Sequence, residues 1–109
     1  MLFIGQDAVL SVEGGSDGPV YCGIRPEGFM IRREDGPFVC GLTAVEVMGR
    51  DVSVVFTHDG ALSPSLRAII DSDSEIEAGT QNVRFALKPR KVFLFDRNTE
   101  KRLNVTLGR

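Results

Sequence analysis

The chain has 109 residues, of which 42% are hydrophobic and 26% are charged, and its net charge is −2. A chain of this length can bury enough surface to fold as one domain without disulfides or metal ions, so residues 1–109 are expected to form a single domain. A dedicated nucleic-acid binder is usually clearly basic, which argues against that partner. The sequence has no apolar run of the roughly 18 residues needed to span a bilayer and no recognisable signal peptide after Met1.

Hydrophobic residues recur with a period of two along most of the chain. Val20, Cys22 and Ile24 alternate with less apolar neighbours, and residues 52–58 and 83–87 repeat the pattern. This alternation predicts strands with one face on a core. Leu2-Phe3-Ile4 is also apolar, but the following glycine stops it, and no strand is predicted there. The predicted strands are residues 7–12, 19–25, 27–33, 38–48, 52–58, 65–70, 80–87, 91–95 and 102–106.

Turn-forming residues, including Asp-Gly pairs, separate these runs at short intervals. The pattern predicts an all-β fold, an OB-fold-like, partly closed antiparallel barrel of short strands, with a β-sandwich as the alternative. Residues 13–18 are interpreted as a hairpin connection. Ser63-Pro64 is also compatible with the start of a short helix. The alternation of Leu66, Ala68 and Ile70 favours a strand instead.

The sequence offers little for catalysis or metal binding. His58 is the only histidine and is expected in a surface turn, with no clustered metal ligands around it. Cys22 and Cys40 lie in apolar stretches and are expected to be buried thiols, which suits the cytosol. No histidine is expected near a nucleophile, and no phosphate-binding P-loop occurs. The chain alone is therefore not expected to hydrolyse ATP.

Basic residues form three short clusters, at residues 32–33, 88–91 and 101–102. Phe93 and Phe95 lie near the second cluster, a combination that could indicate binding of single-stranded nucleic acid. The two phenylalanines share a face opposite Val92 and Leu94, so both faces of this strand are apolar. That pattern predicts a central strand covered on both faces, and it argues against a nucleic-acid partner.

Two proline-containing stretches stand out. In Gly23-Ile24-Arg25-Pro26-Glu27-Gly28, the proline donates no amide and holds Arg25 extended, so the strand ends and presents Arg25 and Glu27 at a fixed position. The second stretch is residues 83–103. In it, Pro89 separates the strands predicted at 83–87 and 91–95, and the turn Asp96-Arg97-Asn98-Thr99 is expected to fold the last strand back.

Together with Val45-Glu46-Val47-Met48-Gly49-Arg50-Asp51, these stretches resemble the TOBE-type, OB-fold-like domain of ABC importer ATPase subunits, in the maltose, multiple-sugar and glycerol-phosphate branch. The resemblance covers residues 7–104 and includes a G-I-R-P-E strand end, a V-E-x-x-G hairpin and a P-x-x-V-x-L-F-D strand, in that order. The motif positions, expected to be structural, are Gly23, Arg25, Pro26, Glu27, Gly49, Pro89, Phe95 and Asp96.

The resemblance implies a partner rather than a reaction. In this family the domain follows an N-terminal ATPase domain, which binds ATP and Mg²⁺, and it helps to pair two subunits. The chain would then be the non-catalytic C-terminal piece of such a subunit, with no cofactor or catalytic residue of its own. Expected partners are the ATPase domain, a second copy in a weak homodimer, the transporter's membrane subunits and a regulatory protein. The expected location is the cytoplasmic face of the membrane.

Two other functions remain open. Related domains bind oxyanions, and Ser63, Ser65 and Arg67 form the one candidate neighbourhood for such a ligand. The third possibility is the single-stranded nucleic-acid binder disfavoured above.

Overall fold

The computed structural model describes residues 1–15, 18–32, 34–71, 76 and 80–108. Within them the chain forms ten strands and two 3₁₀ turns, Pro26–Gly28 and Pro89–Lys91. The strands are β1 (Leu2–Ile4), β2 (Asp7–Glu13), β3 (Val20–Ile24), β4 (Phe29–Arg32), β5 (Phe38–Met48), β6 (Asp51–Thr57), β7 (Leu66–Asp71), β8 (Asn82–Leu87), β9 (Val92–Asp96) and β10 (Thr106–Gly108).

All strand pairs are antiparallel and fall into three sheets. The largest has the order β4-β8-β5-β6-β7, and smaller sheets have the orders β1-β2-β10 and β3-β9. The edge strands β4 and β7 of the largest sheet approach each other without pairing, so this sheet curls into a barrel that is not fully closed. The predicted all-β, partly closed antiparallel arrangement is confirmed.

Four phenylalanine rings form the centre of the core. They come from four strands of the largest sheet: Phe29 from β4, Phe38 from β5, Phe56 from β6 and Phe85 from β8. Neighbouring ring centroids lie 4.9–6.3 Å apart, mostly in edge-to-face or tilted arrangements that aromatic pairs prefer. Aliphatic residues from the alternating strand positions fill the space around the rings, as the period-two pattern predicts. They include Leu10, Val54, Ala68, Ile70, Val83, Leu87, Val92 and Leu94.

Several strand predictions need correction. Leu2–Ile4 does form a strand, because Gly5 adopts a φ of 60° and turns the chain into a hairpin with β2. The hairpin predicted at residues 13–18 is wrong to the extent that the strands flanking it, β2 and β3, belong to different sheets and do not pair. The strand predicted at 102–106 is displaced to β10, and Arg102 makes only an isolated bridge to Phe95.

The strands predicted at 27–33 and 91–95 begin later than expected. Each is preceded by a 3₁₀ turn that starts with a proline, Pro26 before β4 and Pro89 before β9. Proline is suited to the first position of such a turn, because its φ is already helical and its missing amide has no partner to lose. The segment after Ser63-Pro64 is strand β7, not a helix.

Candidate functional site

The two proline-containing stretches meet at one end of the β3–β9 sheet, which we call the proline junction (residues 24–28 and 88–92). Ile24 is opposite Val92 in the ladder, and the Arg25 amide donates to the Lys91 carbonyl at 3.0 Å. The Lys88 amide in turn donates to the Gly28 carbonyl at 2.8 Å. These two bonds join the two 3₁₀ turns, although the bonded residues are far apart in the sequence.

Gly28 is required by the closeness of this contact. A Cβ added to Gly28 would lie 2.7 Å from the Cβ of Lys91 and 3.3 Å from the Ile24 side chain, and real Cβ atoms do not pack that tightly. The Lys91 ammonium lies 3.7 Å from the Glu27 carboxylate. Both side chains are partly exposed, so this ion pair adds little stability, and the backbone contacts hold the junction together.

The outer face of the β3–β9 sheet carries aromatic rings covered by arginines. The guanidinium carbons of Arg25 and Arg102 lie 5.4 and 4.6 Å from the centre of the Phe93 ring, a cation–π geometry. Phe93 and Phe95 are half-buried, whereas Val92 and Leu94 on the other face are in the core. The prediction of a central, doubly covered strand is therefore wrong: β9 belongs to a two-stranded sheet, and arginine side chains cover the Phe93 ring on its outer face.

Asp96 organises the turn that follows β9. Its carboxylate accepts hydrogen bonds from the amides of Asn98 and Thr99 at 2.8 and 2.9 Å. The Thr99 and Asn98 amides hold the pKa of Asp96 below its ordinary value. The chain then folds back along β9, with the Leu103 amide donating to the Leu94 carbonyl. The turn is as predicted, but the segment after it makes an isolated bridge to β9, and the last strand, β10, pairs with β2 instead.

The structure thus gathers seven of the eight motif positions around the β3–β9 sheet and its two proline turns. They are Gly23, Arg25, Pro26, Glu27, Pro89, Phe95 and Asp96. Gly49 lies elsewhere, at the tip of the β5–β6 hairpin, where its φ of 68° makes the turn.

The β5–β6 hairpin leaves apolar side chains bare. Val45, Val47 and Met48 are 41%, 76% and 56% exposed. Val47 lies opposite Val52 in the ladder and Val45 opposite the fully buried Val54. We call Val45, Val47 and Met48 the hairpin patch.

His58 differs from its prediction. It is not a solvent-facing turn residue: its side chain is 7% exposed and stacks on Phe38 with ring centroids 4.3 Å apart. Its Nδ1 accepts from the Gly60 amide at 2.9 Å, which leaves the proton on Nε2 to be donated to Asp7 at 2.8 Å. No spacing in the sequence indicates this pair, because the two residues are 51 positions apart.

Asp7 completes the arrangement by also accepting from the Val39 amide at 2.9 Å. Burial alone would raise the pKa of Asp7, but the Val39 amide and the His58 side chain outweigh burial and hold that pKa below its ordinary value. Asp7, His58, Val39 and Gly60 thereby tie β2, β5 and the end of β6 together. We call these four residues the histidine clip.

Both cysteines are free thiols, as predicted, with Cys40 buried and Cys22 half-buried. Burial raises the pKa of Cys22 to about 11, and burial together with nearby Asp7 raises that of Cys40 to about 12. Thiols with such pKa values are poor nucleophiles, because the thiolate is the reactive form.

The residues suggested for oxyanion binding, Ser63, Ser65 and Arg67, line a cavity of about 580 Å³. The cavity opens where the barrel is incomplete, between β1, β3 and the segment that leads into β7, and Arg97 and Tyr21 also line it. We call it the mouth cavity. The sequence pattern does not indicate the contribution of Tyr21 and Arg97, because these residues are far apart in the chain and come together through the β3–β9 sheet.

Across the described ranges, histidine, cysteine, aspartate and glutamate side chains form no group of three that could hold a metal ion. Nor does any helix in the described part of the chain have the length and apolar character to cross a membrane. No protein-family model matches the sequence, and no curated protein matches it.

Proposed function

We propose that the chain is a non-catalytic, TOBE-type association domain of an ABC importer ATPase subunit. The observation that carries this proposal is the proline junction. Two motifs of the resemblance, distant in sequence, form one hydrogen-bonded unit around Pro26 and Pro89. Unrelated barrels that merely shared common turn residues would have no reason to bring both motifs to the same place.

The chemistry of the described residues supports a non-catalytic role. Both His58 ring nitrogens are engaged in hydrogen bonds, and both thiols have raised pKa values. ATP and Mg²⁺ would be bound by the ATPase domain of the same subunit, at the cytoplasmic face of the membrane. The Phe93 ring already carries two guanidinium groups, which favours a protein partner over stacking of nucleic-acid bases.

The hairpin patch supports the pairing part of the proposal. It offers three exposed apolar side chains at the end of β5, in the hairpin that resembles the family's V-E-x-x-G hairpin. In a two-fold contact the same patch is used by both chains, so a small apolar surface counts twice. The apolar run Val92–Phe95 contributes less to such a contact, because Val92 and Leu94 are buried within the chain itself.

The coding sequence immediately upstream of this chain tests the assignment. The proposal predicts an in-frame P-loop ATPase domain there, and a stop codon or an unrelated domain would contradict it. The isolated chain should also show no ATP hydrolysis. ATP turnover that co-elutes with the folded chain through successive chromatography steps, in constant proportion to the amount of chain, would refute the non-catalytic role.

A further inference from the structure

The mouth cavity has the size and floor of a small-molecule site. Its volume of about 580 Å³ falls within the range of ligand pockets, roughly 300–1,000 Å³. Phe29 and Phe38, both core residues, form part of the lining, so the cavity reaches down to the aromatic cluster. At its rim, Phe3 and Leu62 are 59% and 85% exposed, apolar side chains that an occupant would cover.

Within the described residues, the rim also carries positive charge without a matching carboxylate. The Arg97 guanidinium carbon lies 5.3 Å from the centre of the Tyr21 ring, which positions it beside the cavity. The neighbouring Asp96 carboxylate accepts from the Asn98 and Thr99 amides instead. Among the described residues, neither Arg97 nor Arg67 has an acidic side chain within ion-pair distance. Ser63 and Ser65 add hydroxyl donors to the same rim.

We propose that the mouth cavity binds a small organic anion with an apolar, ring-containing body. The body would lie against the exposed apolar side chains of Phe3 and Leu62, above the floor formed by Phe29 and Phe38. Covering exposed apolar surface is favourable, and a ring in the ligand could pack on the Phe3 ring. The carboxylate or phosphate group would lie at the rim and accept hydrogen bonds from Arg97, with Arg67 and the two serines beside it. This inference comes from the cavity alone and is independent of the proposed function.

Titration of the isotope-labelled full chain with 2-naphthoate, followed by NMR, tests the location. Its neutral isostere 2-naphthamide is the matched ligand without charge. Amide shifts should concentrate at residues 20–24 and 60–67, and 2-naphthoate should bind more tightly. Shifts centred on the hairpin patch, equal affinities for the two probes, or no saturable binding would each overturn the proposal.

Substitutions test the role of each group. Arg97→Ala should weaken 2-naphthoate about three- to ten-fold, the effect of one charge-assisted hydrogen bond at a partly exposed site, and leave 2-naphthamide within two-fold. Arg90→Ala removes an exposed arginine outside the cavity and should change neither affinity. Equal losses from the Arg97 and Arg90 variants, or no loss from Arg97→Ala, would refute the assignment of the anion to the rim.

A measurement on the wild-type chain avoids any effect of substitution on folding. Cys22 lines the mouth cavity, whereas Cys40 is a core residue. Saturating 2-naphthoate should slow alkylation of Cys22 by iodoacetamide at alkaline pH and leave the rate at Cys40 unchanged. If neither rate changes, or both slow equally, the ligand does not occupy the cavity.

Discussion

At the end of β6 that leads into His58, the chain is held by the histidine clip, whereas at the other end the hairpin patch is exposed. Both ends belong to the same pair of strands, and both show the same alternation of apolar residues. At the held end, Asp7 accepts from His58 and from the Val39 amide, and Phe38 stacks on the imidazole. At the bare end, Val47 and Met48 are paired with β6 through the backbone, but their side chains are largely exposed.

The comparison shows that strand pairing extends beyond the core it supports. Hydrogen bonds continue to Met48 and Asp51, but neighbouring elements no longer cover the side chains. Stability should therefore depend strongly on the clip and weakly on the patch, while association should depend on the patch. Substitutions at the two ends can separate these two roles.

The largest expected effect is at Gly60, beside the histidine clip. A Cβ on Gly60 would lie 2.9 Å from the Gly5 Cα and closer still to its nitrogen, so Gly60→Ala forces two backbone segments apart. We expect a loss of about 3 kcal/mol in the free energy of unfolding, at the upper end for overpacking, measured by urea denaturation.

Gly49→Ala at the bare end is the matched control. A Cβ there meets nothing within 4 Å, but the φ of 68° is unfavourable for alanine, so the cost should be only about 1 kcal/mol. Gly49→Asn should recover part of it, because asparagine tolerates this conformation. If Gly49→Ala proved as harmful as Gly60→Ala, the contrast between the ends would fail.

An intermediate effect is expected from Asp7→Asn, and it should depend on pH. The pKa of Asp7 is lower in the folded state than in the unfolded state. The Asp7 carboxylate therefore adds to the free energy of unfolding above the unfolded pKa of about 3.9, and this stabilisation is lost as pH falls through the folded pKa. Asp7→Asn should cost about 1 kcal/mol at neutral pH. On acidification, the free energy of unfolding of the Asp7→Asn variant should fall less steeply than that of wild type.

The control for this prediction is Asp51→Asn, which removes an exposed carboxylate at the bare end. Urea midpoints measured from neutral pH down to the acid limit should show the wild-type slope for Asp51→Asn and a shallower slope for Asp7→Asn. Identical slopes for all three proteins would mean that Asp7 makes no pH-dependent contribution.

The smallest effect on stability is expected at the hairpin patch. Val47→Glu should change the free energy of unfolding by no more than about 0.5 kcal/mol, because the side chain is largely solvated. Val54→Glu, at the cross-strand partner of Val45 in the core, should by contrast prevent folding. A large loss from Val47→Glu would show that the patch packs within the chain.

The sequence predicts β5 at its observed bounds, and β2, β3 and β6–β9 within one or two residues, because alternation and turn residues are local signals. It misses β1, whose three residues form a strand only because Gly5 turns the chain back onto β2. It also places His58 in solvent, since burial of a polar side chain depends on a distant partner, here Asp7. The motif positions were identified from the sequence, but their meeting at the proline junction depends on the β3–β9 pairing.

Sedimentation equilibrium of the wild-type chain over a wide concentration range tests the proposed association role most directly. The patch is small, and an interface at the low end, on the order of 1,000 Å² in total, supports only weak pairing. We expect a concentration-dependent monomer–dimer equilibrium for wild type and a monomer for Val47→Glu at every concentration. A strictly monomeric wild type, or a Val47→Glu variant that dimerises equally well, would contradict the assignment of self-association to the hairpin patch.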